Sequence, residues 1–233
     1  MVITIGIVGV PERRREINNL IAAFQGYPYV YPFYDINHKG SWYGHLGAMR
    51  TYENESESTH HLVIEDDVEI CDNFIPLLQQ AITAVPNQVI SVYASRAQKD
   101  KVAWAKRNNS SWFRDAHGAS GQGVLFPVSL LQDFLLWEKI NCPFDMPYED
   151  TRLYGWMKER NLYTWNTVPA LIEHTQPMQS MLGFNNKGKV AAWYEREITD
   201  IDFTKGLPNP KVFKYIGGIK GYTKYVLQRR NNG

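Results

Sequence analysis

The stretch His60-His61-Leu62-Val63-Ile64-Glu65-Asp66-Asp67-Val68 runs from a short apolar segment straight into three adjacent carboxylates. A bounded apolar run of this length reads as a buried strand. Three neighbouring anions repel one another. At the carboxyl end of a parallel strand, where ligands bind in open α/β sheets, a divalent cation resolves that repulsion. Acidic residues at strand ends also serve as plain solvated turns ahead of a helix cap, so the rest of the chain has to decide.

Upstream, Val2 to Val10 is a continuous β-branched and apolar run closed by Gly9 and Pro11, which predicts a strand buried on both faces. Pro11, Glu12 and Glu16 suit a helix start, and Ile17, Leu20, Ile21 and Phe24 recur at helical spacing until Gly26, Tyr27 and Pro28 stop them. Tyr29 to Tyr34 reads as a second strand, and Trp42, Leu46 and Met49 mark one face of a helix reaching about Glu55. Downstream, Phe74, Leu77, Leu78, Ala81, Ile82 and Val85 give the strongest helical period, with Asp72 or Asn73 as its cap. Val89 to Tyr93 reads as a strand and Lys99 to Asp115 as polar and irregular. A Gly-rich turn, Gly118 to Gly123, leads into Val124 to Phe126 and a helix opening at Pro127. Asp150 to Arg160 reads as a helix, and Val168 to Ile172 as the last core strand. Strands alternating with helices predict an α/β fold with a mixed, mostly parallel sheet flanked by helices.

With 233 residues, 44% hydrophobic, 13% aromatic and 21% charged, the chain suits one large globular domain and excludes collagen-like, coiled-coil and disordered classes. Cys71 and Cys142 allow one bridge at most and read as reduced thiols. No run approaches the roughly 20 apolar residues of a membrane span, and the opening residues lack a basic leader and cleavage site. The expected localisation is therefore cytoplasmic. The net charge of +1 hides an asymmetry: seven cations and no acid from Phe203 onward, against 18 cations and 24 acids before it. This divides the chain into a body, 1–202, and a basic, aromatic C-terminal extension, 203–233.

Val63 to Ile70, followed by Asp72-Asn73-Phe74, resembles the DXD region of GT-A nucleotide-sugar glycosyltransferases, in the Glu-Asp-Asp form of N-acetylglucosaminyltransferase I and of lipopolysaccharide-type enzymes. The opening strand with Pro11 and Arg13 to Arg15 is similar to that fold's first nucleotide-binding turn. Gly44-His45-Leu46-Gly47-Ala48-Met49-Arg50 resembles the helix before the DXD strand. Val168 to His174, then Gln179 to Gly183, resembles the segment that presents a C-terminal metal-binding histidine. The resemblance implies a GT-A fold with Asp67 and His174 as ligands of Mn2+ or Mg2+, and an imidazole slightly favours Mn2+. It implies that Glu65 and Asp66 contact the donor ribose or water held by the ion. It also implies a carboxylate base at Glu149-Asp150, Asp150 foremost, for inverting transfer. Arg13 and Arg14 would reach the donor base or phosphates, and Trp42 would stack on a base or sugar, although Trp42 equally fits a core position. UDP-hexose is the donor that the resemblance favours.

For the acceptor, cations interleaved with Phe213, Tyr215, Tyr222 and Tyr225, and a second basic segment at Lys99, Lys101, Lys106, Arg107 and Arg114, suit a polyanion. DNA carrying hydroxymethylpyrimidines, as in bacteriophage base glycosylation, fits this pattern. Peripheral contact with an anionic membrane, with lipopolysaccharide or another glycan as acceptor, is the rival. Two other classes remain: a glycoside hydrolase pairing Glu65 or Asp67 with Asp150, and a noncatalytic nucleic-acid-binding module.

Overall fold

In the computed structural model, residues 1–116, 119, 121–142, 146, 148–175 and 190–214 are described. The chain opens with β1 (Val2–Gly9), a single 3-10 turn (Pro11–Arg13), α1 (Arg14–Ala23), β2 (Val30–Tyr34), α2 (Ser41–Arg50) and β3 (Ser58–Glu65). It continues through β4 (Val68–Ile70), α3 (Phe74–Ala84), β5 (Ile90–Ser91), α4 (Lys99–Arg107), β6 (Trp112–Asp115), β7 (Gly123–Pro127) and α5 (Val128–Asn141). The last elements are α6 (Glu149–Glu159), β8 (Thr164–Thr167), β9 (Ile172–His174) and β10 (Val212–Phe213).

Eight strands form one mixed sheet in the order β10-β6-β8-β5-β7-β3-β1-β2, and β4 and β9 form a separate two-stranded ribbon. β1 is parallel to both β2 and β3, whereas β7 lies antiparallel between β3 and β5. Because side chains alternate across a strand, β1 and β3 feed two cores. Ile3, Ile5, Ile7, Leu62 and Ile64 pack with Ile17 and Leu20 of α1 and Leu77, Leu78 and Ala81 of α3. On the other face, Val63 packs with Ala48 and Met49 of α2, Phe134 of α5 and Trp156 of α6. α2 lies so close to the sheet that a side chain at Gly6 would come within 2.3 Å of the Ala48 carbonyl oxygen.

The chain leaves β1 for β2 on one side and returns through α2 to β3 on the other. This is a topological switch, and the crevice lies at the carboxyl ends of β1 and β3.

The structure refines several of these expectations. Lys99–Asp115 is not irregular but holds α4 and β6: Val102 and Ala105 bury one face of a helix whose mean composition is polar. The strand expected over 168–172 is split into β8 before it and β9 at its end, with the Val168-Pro169 step between them. Asn73 stands at the N-cap of α3 as expected, with φ 58°, and its side chain makes no capping bond. The boundary at 202/203 falls within the packed body. Phe203 is buried on Trp112 at 5.1 Å between ring centroids, Trp112 Nε1 donates to the Phe203 carbonyl at 2.8 Å, and β10 pairs with β6. Residues 215–233, with Tyr215, Tyr222 and Tyr225, lie outside the described residues.

Candidate functional site

The last residue of β3 and the turn after it deliver the three acids to the crevice. A cavity of about 220 Å³ opens there, lined among others by Gly9, Arg13, Ser41, His45, Glu65, Asp66 and Asp67. Gly9 keeps this approach narrow: a Cβ on it would lie 3.1 Å from Asp66 Oδ2.

Two groups of side chains meet at the crevice. In the first, Asp67 Oδ2 lies 3.4 Å from His174 Nε2, brought together by the β4–β9 ribbon in which Val68 and His174 are register partners. The Thr175 N–H donates to the Asp67 carbonyl at 2.7 Å and closes that end. Arg13 Nη1 donates to Asp66 Oδ1 at 2.7 Å and reaches Asp67 Oδ2 at 3.4 Å. Burial and the nearby Asp67 charge push Asp66 up to about 6 against the pull of Arg13. Burial also pulls Asp67 upward, but the His174 hydrogen bond and the positive charges of His174 and Arg13 hold it below the usual carboxylate range. Asp67 Oδ1 is buried with no hydrogen-bond partner among the described residues.

In the second group, Glu65 turns away from Asp67. Its Oε1 lies 3.5 Å from His45 Nε2, and its Oε2 accepts from Gln122 Nε2 at 3.1 Å. His45 Nδ1 donates to the Ser41 carbonyl at 2.9 Å and stands 3.7 Å from Glu149 Oε2, which accepts from Ser41 Oγ at 2.8 Å. Burial, then the charge of Asp67, pushes Glu65 up to about 7. Burial alone would depress His45, but the Glu149 and Glu65 charges raise it above its ordinary value.

Asp150 follows Glu149 on the exposed side of the first turn of α6, with Oδ1 accepting from Thr151 Oγ1 at 3.2 Å. The protein crowded around it and the Glu149 charge raise its pKa. The crevice thus brings together Arg13, Glu65, Asp66, Asp67, Glu149 and His174. Two candidates are elsewhere. The Arg14 guanidinium lies over the Tyr34 ring at 5.6 Å and does not line the cavity. Trp42 is half-buried, with the Arg152 guanidinium 4.4 Å from its ring centre and Phe134 packed edge-on beside it, and it does not line the cavity. Gly118, Ser120 and Gln179 to Gly183 lie outside the described residues.

His45, Ser41 and Gln122 were not singled out by sequence reasoning. The signal was Gly44-His45 within α2 and the small residues around Gln122, which permit close approach but name no chemistry. Part of the second basic segment is engaged by the fold. Lys101 pairs with Asp115, Lys106 Nζ lies 3.7 Å from the Trp193 ring centre, and Arg114 Nε donates to the Pro210 carbonyl at 2.9 Å. Burial pushes the Cys71 thiol up to about 12, which leaves it unreactive. No helix among the described residues is long and apolar enough to cross a membrane.

No protein-family model matches the chain, and no curated protein matches it.

Proposed function

We propose that the chain is a metal-dependent glycosyltransferase of the GT-A type, moving a hexose from a nucleotide sugar, UDP-hexose by preference, to an acceptor hydroxyl. The observation that carries this reading is the convergence of Asp67 and His174, far apart in sequence, at the switch point of the sheet. The buried Asp67 Oδ1, without a hydrogen-bond partner among the described residues, and the imidazole beside the other oxygen fit one divalent cation. An oxygen-and-nitrogen donor set of this kind suits Mn2+ better than Mg2+. Bound there, the ion would supply Lewis-acid stabilisation of the departing diphosphate, worth several kcal/mol.

The chain's own residues do the rest. Arg13, held by Asp66, offers a cationic donor to the nucleotide phosphates at the mouth of the cavity. Asp150 takes the proton from the acceptor hydroxyl: it is exposed, and its raised pKa brings its basicity closer to the working pH. Glu149, fixed by Ser41, positions the start of α6 beside it. The acceptor is a hydroxyl on a polyanion, with hydroxymethylpyrimidine DNA as the leading case and a membrane-associated glycan as the second. The charge asymmetry supports this choice.

A thermal-shift panel of nucleoside diphosphates and their sugars, with and without Mn2+, tests the reading. Ligands that bind the folded chain raise its apparent stability, so a shift with UDP or UDP-hexose that requires Mn2+ is expected. A shift with free sugars that survives EDTA would favour a hydrolase. A response to DNA alone would favour a noncatalytic module.

A further inference from the structure

Beyond the Asp67–His174 pair, we infer that His45, Glu65 and Glu149 form a second cation site, with Zn2+ or another first-row divalent ion as its ligand. One ligand atom from each of these three residues lies within 4.8 Å of the other two. His45 is 2% exposed, and its Nε2, aimed at Glu65 Oε1, makes no hydrogen bond among the described residues. The opposite ring nitrogen is committed, because Nδ1–H donates to the Ser41 carbonyl. That bond orients the ring so that Nε2 faces Glu65 Oε1 at 3.5 Å. Two half-buried carboxylates beside this ring call for a positive charge, which a bound cation supplies in place of the ring proton.

The surroundings match what a metal-binding shell requires. A ligating histidine ordinarily donates its other N–H to a carbonyl or carboxylate, and ligating carboxylates are themselves hydrogen-bonded. Gln122 holds Glu65 Oε2 and Ser41 holds Glu149 Oε2, which leaves the two Oε1 atoms for an ion. The 3.5 Å between His45 Nε2 and Glu65 Oε1 suits two ligands of one ion with bonds of about 2.0–2.2 Å in tetrahedral geometry. Gly121 completes the cage: a Cβ there would lie 2.3 Å from Glu149 Oε1 and 3.1 Å from His45 Nε2. Three protein ligands leave a position open toward the cavity that His45 and Glu65 line, so a ligand oxygen from the cavity can complete the shell.

Zinc titration of the full chain, stripped of metal and carrying Asp67→Asn with His174→Gln, is the test. One Zn2+ per chain is expected. Adding His45→Gln or Glu149→Gln weakens it by at least about 100-fold, and Gly121→Ala, which narrows the cage without removing a ligand, weakens it by about 10–100-fold. Circular dichroism of the ion-free variants checks that each is folded. X-ray absorption at the zinc edge, which needs no variant, reads one imidazole nitrogen among oxygen ligands. Absence of stoichiometric binding in the double variant, or binding indifferent to His45 and Glu149, overturns the site. These outcomes are separate from donor binding: zinc held here without any nucleotide response breaks only the glycosyltransferase reading, and the converse breaks only this one.

Discussion

Asp67 and His174 lie 3.4 Å apart because a three-residue ribbon pairs Val68, the residue after Asp67, with His174, not because either is near the other along the chain. The contact therefore depends on β4 and β9 staying paired. Asp67→Asn should abolish the Mn2+-dependent thermal shift caused by UDP-sugar, which at about 100 times Kd corresponds to roughly 2.7 kcal/mol. His174→Gln should raise the Mn2+ concentration that the shift requires. An undiminished shift in Asp67→Asn removes Asp67 as a ligand.

The neighbouring carboxylates of α6 should separate chemistry from binding. In Asp150→Asn, product formation is expected to fall by about 10²- to 10⁴-fold, the usual worth of a positioned base, while the donor-induced shift persists. Full turnover in that variant would transfer the role to Glu149.

His61 gives a pH prediction independent of any ligand. Its ring is wholly interior, Nε2–H donating to the Ala48 carbonyl at 2.9 Å and Nδ1 accepting from Thr4 Oγ1 at 2.8 Å. Burial pushes its pKa down to about 4 from the ordinary 6.5. Between those values the unfolded chain binds a proton that the folded chain refuses. Stability is thus fully present above pH 6.5 and declines as pH falls toward 4, by about 3 kcal/mol from this group. Urea unfolding from pH 4 to 7 should show a shallower slope in His61→Gln than in the parent chain; equal slopes would place the titration elsewhere.

Phe203 should matter to stability although it opens the basic segment. Truncating this 3%-exposed ring to alanine leaves a void against Trp112, and a loss of about 3–5 kcal/mol in denaturant unfolding is expected. A loss under 1 kcal/mol would mean that the end of the chain packs only superficially.

If the acceptor is duplex DNA, affinity should drop steeply with salt. Lys106 and Lys211 are exposed and keep their charge over the rings of Trp193 and Phe213, so Lys106→Gln and Lys211→Gln should each lower the salt slope by at most about 1. Deleting residues 215–233 should reduce it. Salt-independent binding would argue against a phosphate backbone as the surface recognised.

Apolar rhythm made β1, β3 and α3 readable from residues alone, and the acids after Ile64 were readable as a strand end because they interrupt that rhythm. α4 and β8 escaped for the opposite reason. Thr164, Asn166 and Thr167 are buried yet polar, and α4 hides its small apolar stripe among lysines. The partnership of Asp67 with His174 came only through resemblance, and that of His45 with Glu149 not at all. Both arise where distant elements meet, and no spacing along the chain encodes that meeting.

Gly6 has a consequence for the crevice although it touches nothing there. The oxygen it spares, on Ala48, also receives the His61 ring N–H, and Ala48 is three residues after His45 on α2. One extra methyl at Gly6 would lever that helix off its seat and draw the imidazole away from Glu65. The aperture through which any guest must pass is thus gauged by a missing carbon on the far side of the helix.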